Sequence, residues 1–151
     1  MNVPSACRDI KELSPQAKIA CDMFMKECER KGINIFITET YRSRERQAYL
    51  YAQGRTRPGN KVTWTMNSRH MSHRAWDIAC GRPNSLYDVN VLAKAGEVAK
   101  GLGITWGGIW SPPDRPHFEI PTDWQEKNGL MVLQKVSRTA TDLPRWPQEK
   151  K

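Results

Sequence analysis

The chain has 151 residues, the length of one ordinary domain, and its residues are 26% charged and 38% hydrophobic. This composition excludes collagen-like and disordered classes, and no apolar run approaches the roughly 18 residues that span a bilayer. The net charge of +8 predicts attraction to polyanions without identifying which polyanion. The four cysteines form no CxxC pair, so we expect reduced thiols and neither a zinc finger nor a disulfide framework.

The first half of the chain predicts two helices with a strand between them. Ser14 is a typical helix cap, and apolar spacing predicts a helix over residues 15–32. The alternation at residues 33–38 predicts a largely buried strand. A second helix is expected at residues 44–53, and the stretch with proline and glycine at residues 55–67 predicts a long loop.

The second half predicts short strands around a third helix. The strands are expected at residues 74–80, 104–106 and 117–120. Asp88 can cap the helix, whose apolar stripe ends at the glycines that follow it. Residues 130–136 could add a strand, whereas residues 137–151 show little periodicity and predict a loose tail. We therefore expect one domain over residues 1–136, followed by that tail.

The three histidines lie in two short segments, at residues 68–77 and 114–119. Imidazole and carboxylate are the usual ligands of catalytic zinc, where three protein groups leave a fourth position open. His70, Asp77 and His117 could supply such a set. Taken singly, each histidine is more often a hydrogen-bonded structural residue. Asp77, however, lies in an apolar strand, where its carboxylate needs a metal or an arginine to offset desolvation.

Three segments carry a resemblance to a known family. Residues 68–77 resemble the Ser-x-His-x-x-Gly-x-Ala-x-Asp motif of the VanY-type, or M15, metallopeptidases, which include D-alanyl-D-alanine carboxypeptidases and L-alanyl-D-glutamate endopeptidases. Residues 114–118 resemble the acid-x-x-His ending of that family, and residues 39–56 resemble the stretch that precedes the motif in its phage lysins. Because the segments occur in the family order, the chain is identified as a member over residues 33–119.

The resemblance implies a fold and a metal site. The fold is α+β, with a small, mainly antiparallel sheet, flanking helices and a zinc site in a cleft over the sheet. His70, Asp77 and His117 would bind Zn2+, and Asp114 would be the catalytic base. Glu119 is the competing candidate for the base, because it would share the strand face of His117. Otherwise Glu119 is a group that supports a metal ligand, or a mere surface charge.

The resemblance also places Arg42 and Ser68 in contact with substrate. A guanidinium suits a carboxylate or a developing oxyanion through paired hydrogen bonds. The alternative for Arg42 is a structural ion pair with a buried acid. His73 stands where the family motif has glycine, so a positive φ there would strain it. His73 could also compete as a metal ligand, although the family order fills the site without it.

The function implied by the resemblance is zinc-dependent hydrolysis of peptidoglycan stem peptides. The lysin-like segment and the absence of a signal peptide favour an endolysin that cuts the L-alanyl-D-glutamate bond, made in the cytoplasm and acting on the wall after release. The close alternative is a D-alanyl-D-alanine carboxypeptidase. The alternative from another class is a basic nucleic-acid-binding domain with a structural zinc, which would need a fourth ligand.

We expect a monomer with no transmembrane segment and no nucleic-acid partner. The basic surface could attach the enzyme to anionic cell-wall polymers.

Overall fold

The computed structural model describes residues 5–63 and 65–124, and this part of the chain forms three α-helices and four β-strands. The helices are α1 (Pro15–Arg30), α2 (Arg44–Ala52) and α3 (Val89–Gly101). The strands are β1 (Ile35–Glu39), β2 (Ala75–Cys80), β3 (Thr105–Trp106) and β4 (His117–Glu119). Short 3-10 helices occupy Ile10–Glu12, Arg69–Ser72 and Gly107–Ile109.

The four strands form one antiparallel sheet in the order β1-β2-β4-β3. Strand β4 is inserted between β2 and β3, so the last strand of the described residues is an interior strand of the sheet. The register pairs Asp77 with His117 across β2 and β4. The α+β fold with a small antiparallel sheet and flanking helices is therefore confirmed.

The alternation of side chains along β2 and β4 separates a core face from a polar face. Trp76 and Phe118 are fully buried on the core face, where the Phe24 ring of α1 lies 5.9 Å and 4.6 Å from their respective ring centroids. Their immediate neighbours Asp77 and His117 consequently point to the opposite face. Burial of the aromatic face against α1 and α3 thus fixes the direction of the two polar side chains.

Hydroxyl and carboxylate caps define where the helices begin. The Ser14 side chain accepts a hydrogen bond from the Ala17 N–H at 3.4 Å, and the Asp88 side chain accepts one from the Val91 N–H at 3.0 Å. Both caps agree with the sequence prediction. The main difference in the first half is β1, which begins at Ile35 rather than at residue 33 and has an irregular register near Glu39. The prediction that this strand is largely buried was wrong, because Phe36 is 40% exposed and only Glu39 is buried.

Some predictions concern residues outside the described part of the chain. The strand at residues 130–136, the tail at residues 137–151 and the domain boundary at residue 136 all belong to this group. Within the described part, no helix is long and apolar enough to cross a membrane. The four cysteines are unpaired, and three of them are buried.

Candidate metal centre and catalytic cleft

Two strands and a short turn bring three ligand side chains together. Asp77 and His117 are register partners on β2 and β4, and His70 lies on the 3-10 turn that precedes β2. Asp77 Oδ1 is 3.2 Å from His70 Nε2 and 3.3 Å from His117 Nδ1. The ligand atoms of the three side chains lie within 4.8 Å of one another. The structure therefore brings together the three residues that the sequence assigned to a metal.

The remaining ring nitrogen of each histidine has its own hydrogen-bond partner. His70 Nδ1 lies 2.6 Å from the Thr40 carbonyl oxygen, which can only accept a hydrogen bond. His117 Nε2 lies 2.8 Å from Glu119 Oε1. Because these acceptors hold the outer N–H groups, His70 Nε2 and His117 Nδ1 are directed at the cluster. Such partners orient metal-binding imidazoles, so the donor set fits a metal ion with an open coordination position.

The electrostatics of the cluster also suit a cation. Burial alone would raise the pKa of Asp77, but the imidazoles of His70 and His117 hold it well below its ordinary range. Burial favours the neutral form of His117, but hydrogen bonds to Asp77 and Glu119 raise its pKa to about 9. The acidic contacts that favour a proton on His117 Nδ1 would equally favour a metal cation there. Because a ligating imidazole must be neutral, a proton and a metal ion would compete for this atom.

An ion-pair network surrounds Asp77 on its other side. Arg42 is buried and donates hydrogen bonds to Glu39 and Gln47, and its Nη2 lies 3.4 Å from Asp77 Oδ2. Arg46 also donates to Glu39, at 2.7 Å. Arg42 thus forms the structural ion pair that the sequence left as its alternative, and it also lines the cleft. Its contact with Oδ2 leaves Oδ1 to face the two histidines.

Asp114 lies at the rim of the cluster, where its side chain is half-exposed. Its Oδ2 is 4.0 Å from His117 Nδ1, on the side of the ring that faces the other ligands. Partial burial and the Asp77 charge raise the pKa of Asp114. Glu119, in contrast, is hydrogen-bonded to the opposite ring nitrogen. Asp114 and Glu119 therefore lie at opposite edges of the His117 ring, with Asp114 on the side of the other ligands.

An open cleft of about 610 Å³ lies above the ligands. Leu50, Val62 and Trp110 provide apolar walls, and the Trp110 ring centroid lies 5.1 Å from that of His117. Ser68 also lines the cleft, and its hydroxyl caps the ligand turn by accepting a hydrogen bond from the His70 N–H at 3.1 Å. A cleft of this volume lies within the range of ligand-binding pockets.

His73, which replaces the motif glycine, lies outside the ligand cluster. Its backbone is left-handed, with φ 62° and ψ 29°, as the glycine in the motif suggested. The ring stacks on Tyr41 with a centroid separation of 4.2 Å, and Nδ1 lies 2.6 Å from the Glu12 carbonyl oxygen. His73 therefore ends the ligand turn and binds the turn to the segment before α1.

Three groups that support the site were not predicted from the sequence. The Thr40 carbonyl is a backbone group, so its side chain gave no signal. Gln47 is fully buried and contacts both Arg42 and the carbonyl oxygen of Thr65, at 2.9 Å and 2.6 Å. Glu39 could have been suspected, because an acid three residues before Arg42 at a strand end is well placed to pair with it.

Comparison with known proteins agrees with this arrangement. A family model described as D-alanyl-D-alanine carboxypeptidase, within the M15 peptidases, matches residues 61–120. The chain is 37% identical over 134 residues to peptidoglycan L-alanyl-D-glutamate endopeptidase CwlK of Bacillus subtilis, covering 80% of this chain and 77% of that protein. It is 29% identical over 117 residues to the L-alanyl-D-glutamate peptidase of Listeria phage A118, covering 74% of this chain and 39% of that protein.

A solved structure shares the fold. The Serratia marcescens L-Ala D-Glu endopeptidase ChiX superimposes with a TM-score of 0.57 at 19% identity, covering 74% of this chain and 83% of that chain. The fold and the cluster of two histidines and one aspartate define a peptidase of the metal-dependent class. The chain belongs to the M15 family of peptidases.

Proposed function

We propose that the protein is a zinc-dependent peptidoglycan hydrolase that cuts the L-alanyl-D-glutamate bond of stem peptides. The observation that carries this proposal is the convergence of His70, Asp77 and His117 at the floor of an open cleft, with Asp114 beside them. The names of the Bacillus subtilis and Listeria phage relatives support the choice of bond.

The three ligand residues would hold zinc through defined atoms. His70 would bind through Nε2, His117 through Nδ1 and Asp77 through Oδ1, because these atoms face one another. Zinc held there would supply a Lewis acid that polarises the scissile carbonyl and makes water a better acid. Arg42 supports this geometry through Asp77 Oδ2, and Glu119 does so through His117 Nε2.

Asp114 is our proposed general base. Its half-exposed carboxylate can reach water that enters the cleft, and it lies on the side of the His117 ring that faces the other ligands. Asp114 would take a proton from the attacking water and return it to the leaving amine. We further propose that Arg42 and Ser68, which both line the cleft, contact the substrate.

The site of action is proposed to be the cell wall. A phage relative supports a role in which the protein is made in the cytoplasm and reaches peptidoglycan after release. The net charge of +8 supports weak attachment to anionic wall polymers. If attachment to purified walls is unchanged at high salt, the charge is not its cause.

Two alternative functions can be compared with this proposal. The description of the matching family model supports a D-alanyl-D-alanine carboxypeptidase as the second candidate. A nucleic-acid-binding domain with a structural zinc would require a closed set of four ligands. The candidate metal cluster among residues 5–63 and 65–124 has three.

Digestion of purified peptidoglycan tests the proposal. The protein is incubated with the walls, with and without a chelator, and new termini are identified by mass spectrometry. A new D-glutamate amine that disappears with the chelator is the expected result, whereas released D-alanine would indicate the carboxypeptidase. The Asp114→Ala variant should lose turnover and keep its zinc. If it remains active, the base is misassigned and Glu119 becomes the candidate.

A further inference from the structure

Three arginines line the cleft, and they differ in how firmly they are held. Arg42 and Arg46 both pair with the buried Glu39, at 2.9 Å and 2.7 Å. The Arg69 side chain is 54% exposed, and its Nε lies 3.6 Å from Glu119 Oε2. This separation is longer than the 2.7–2.9 Å or so of a strong charge-assisted hydrogen bond. Arg69 is therefore the cleft arginine with the loosest attachment.

The backbone of Arg69 is nevertheless well fixed. Arg69 is the first residue of the 3-10 turn that carries His70, and its carbonyl oxygen accepts hydrogen bonds from the Ser72 hydroxyl and the Arg74 N–H. Its guanidinium is linked through Glu119 to the outer nitrogen of His117. A half-exposed cationic group thus lies beside the proposed metal ligands, on the wall of the cleft.

The proposed substrate has an anion at a matching position. A glutamyl residue has two carboxyl groups, and continuing the stem peptide uses only one of them. The other lies on the residue whose amine is released, within about one residue length of the scissile carbonyl. A planar guanidinium can bind such a carboxylate through two parallel hydrogen bonds.

We propose that Arg69 binds the free carboxylate of the glutamyl residue on the leaving side of the scissile bond. This inference rests on the proposed function and deepens it, because it makes Arg69 a determinant of substrate choice. Arg42 and Arg46 are poorer candidates, since moving either toward the substrate would leave the buried Glu39 carboxylate short of a partner. Arg69 lies 3.6 Å from Glu119, and Glu119 keeps its contact with His117 Nε2 if the guanidinium turns to the substrate.

A pair of substrates that differ by one group tests the inference. The first peptide carries the free glutamyl carboxylate, and the second carries the corresponding primary amide. The ratio of their kcat/KM values is measured for each variant, because this ratio does not depend on the fraction of enzyme that is folded or loaded with zinc. Wild type should prefer the carboxylate by about tenfold, the lower end for hydrogen bonds to a charged group.

Three variants distinguish recognition of the carboxylate by Arg69 from a general effect of positive charge near the cleft. Arg69→Gln should reduce the preference to less than about twofold, and Arg69→Lys should restore part of it. Arg115→Gln is the matched control, because Arg115 is exposed near the site but does not line the cleft. The control should keep the wild-type ratio. An unchanged ratio in Arg69→Gln, or an equal decrease in Arg115→Gln, would overturn the inference.

The behaviour of wild type distinguishes the two proposals. If wild type cuts both peptides at the alanyl–glutamyl bond with equal kcat/KM, the role of Arg69 is refuted and the proposed function stands. If it cuts neither peptide at that bond, the proposed function fails and the role of Arg69 fails with it.

Discussion

The buried carboxylate of Glu39 offers a sharp test of how the site is held together. Glu39 ends β1, is 5% exposed and accepts hydrogen bonds from both Arg42 and Arg46. The change Glu39→Gln keeps the shape of the side chain and removes its charge. Arg42, which is only 8% exposed, would then have lost its main counter-charge in a poorly hydrated position.

The expected cost follows from the burial of the pair. Removing one partner of a buried ion pair lowers the free energy of unfolding by about 3–5 kcal/mol. Because the glutamine amide can still accept one hydrogen bond, we expect Glu39→Gln to lower it by about 3 kcal/mol. For a domain of this size, that loss lowers Tm by about 6–12 °C. Urea unfolding of metal-free protein measures it directly. Glu29→Gln, at an exposed position of α1, is the matched control and should change stability by less than about 0.5 kcal/mol.

The cost should also depend on pH in a defined direction. Burial alone would raise the pKa of Glu39, but the hydrogen bonds and charges of Arg42 and Arg46 hold it below its ordinary value of 4.5. A lowered pKa means that the ionised group stabilises the fold fully above its unfolded pKa. This contribution is lost as the pH falls through the folded pKa. A difference between wild type and Glu39→Gln below about 1 kcal/mol at pH 7, or one that stays constant from pH 7 to pH 3, would refute this reasoning.

Two further outcomes are expected. Glu119→Gln should weaken zinc binding about 10- to 100-fold in a chelator competition, because the carboxylate fixes the ring of His117. Unchanged affinity would show that Glu119 does not support metal binding. In the folded protein at pH 8, iodoacetamide should spare Cys21 and Cys28, since burial raises the pKa of the Cys21 thiol and raises that of Cys28 to about 12. Peptide mass spectrometry checks this, and modification of these two cysteines at the rate seen in urea would contradict it.

Much of the fold could be predicted from local patterns. The caps at Ser14 and Asp88 and the apolar run of β2 gave elements close to those in the structure. The sheet order β1-β2-β4-β3 could not be predicted from these patterns, because alternation shows which side chains share a face but not which strands are neighbours. The position of β4 beside β2 depends on packing of Phe118 with Trp76 and Phe24, which are distant in the sequence.

The candidate site, like the fold, could be predicted only in part from the sequence. Asp77 and His117 are far apart in the sequence and meet only because β2 pairs with β4, so their grouping came from family resemblance rather than from spacing. The direction of each imidazole depends on a hydrogen-bond partner. Glu119, which the sequence offered as a possible support for a metal ligand, contacts His117, whereas the Thr40 carbonyl that contacts His70 gave no signal in the sequence. Charge and residue type could therefore be predicted, but which atoms of the three side chains face one another could not.

His73 shows how a departure from the family motif can be accommodated. A left-handed backbone costs an ordinary residue about 1–2 kcal/mol, which explains the glycine in the motif. Here the stack on Tyr41 and the hydrogen bond to the Glu12 carbonyl offset this cost, at about 1 kcal/mol each. His73→Ala loses both contacts and keeps the strained φ, so we expect it to destabilise by about 2 kcal/mol.

His73→Gly loses the same contacts but relieves the strain. After allowing for the greater entropy of glycine in the unfolded chain, it should be about 0.5–1 kcal/mol more stable than His73→Ala. Urea unfolding of the two variants measures this difference, and an alanine variant at least as stable as the glycine variant would show that φ is not strained. Both variants should bind zinc with wild-type affinity. The backbone hydrogen bond from the Ser14 N–H to the carbonyl oxygen of residue 73 does not need the side chain, so it still holds the end of the turn that carries His70.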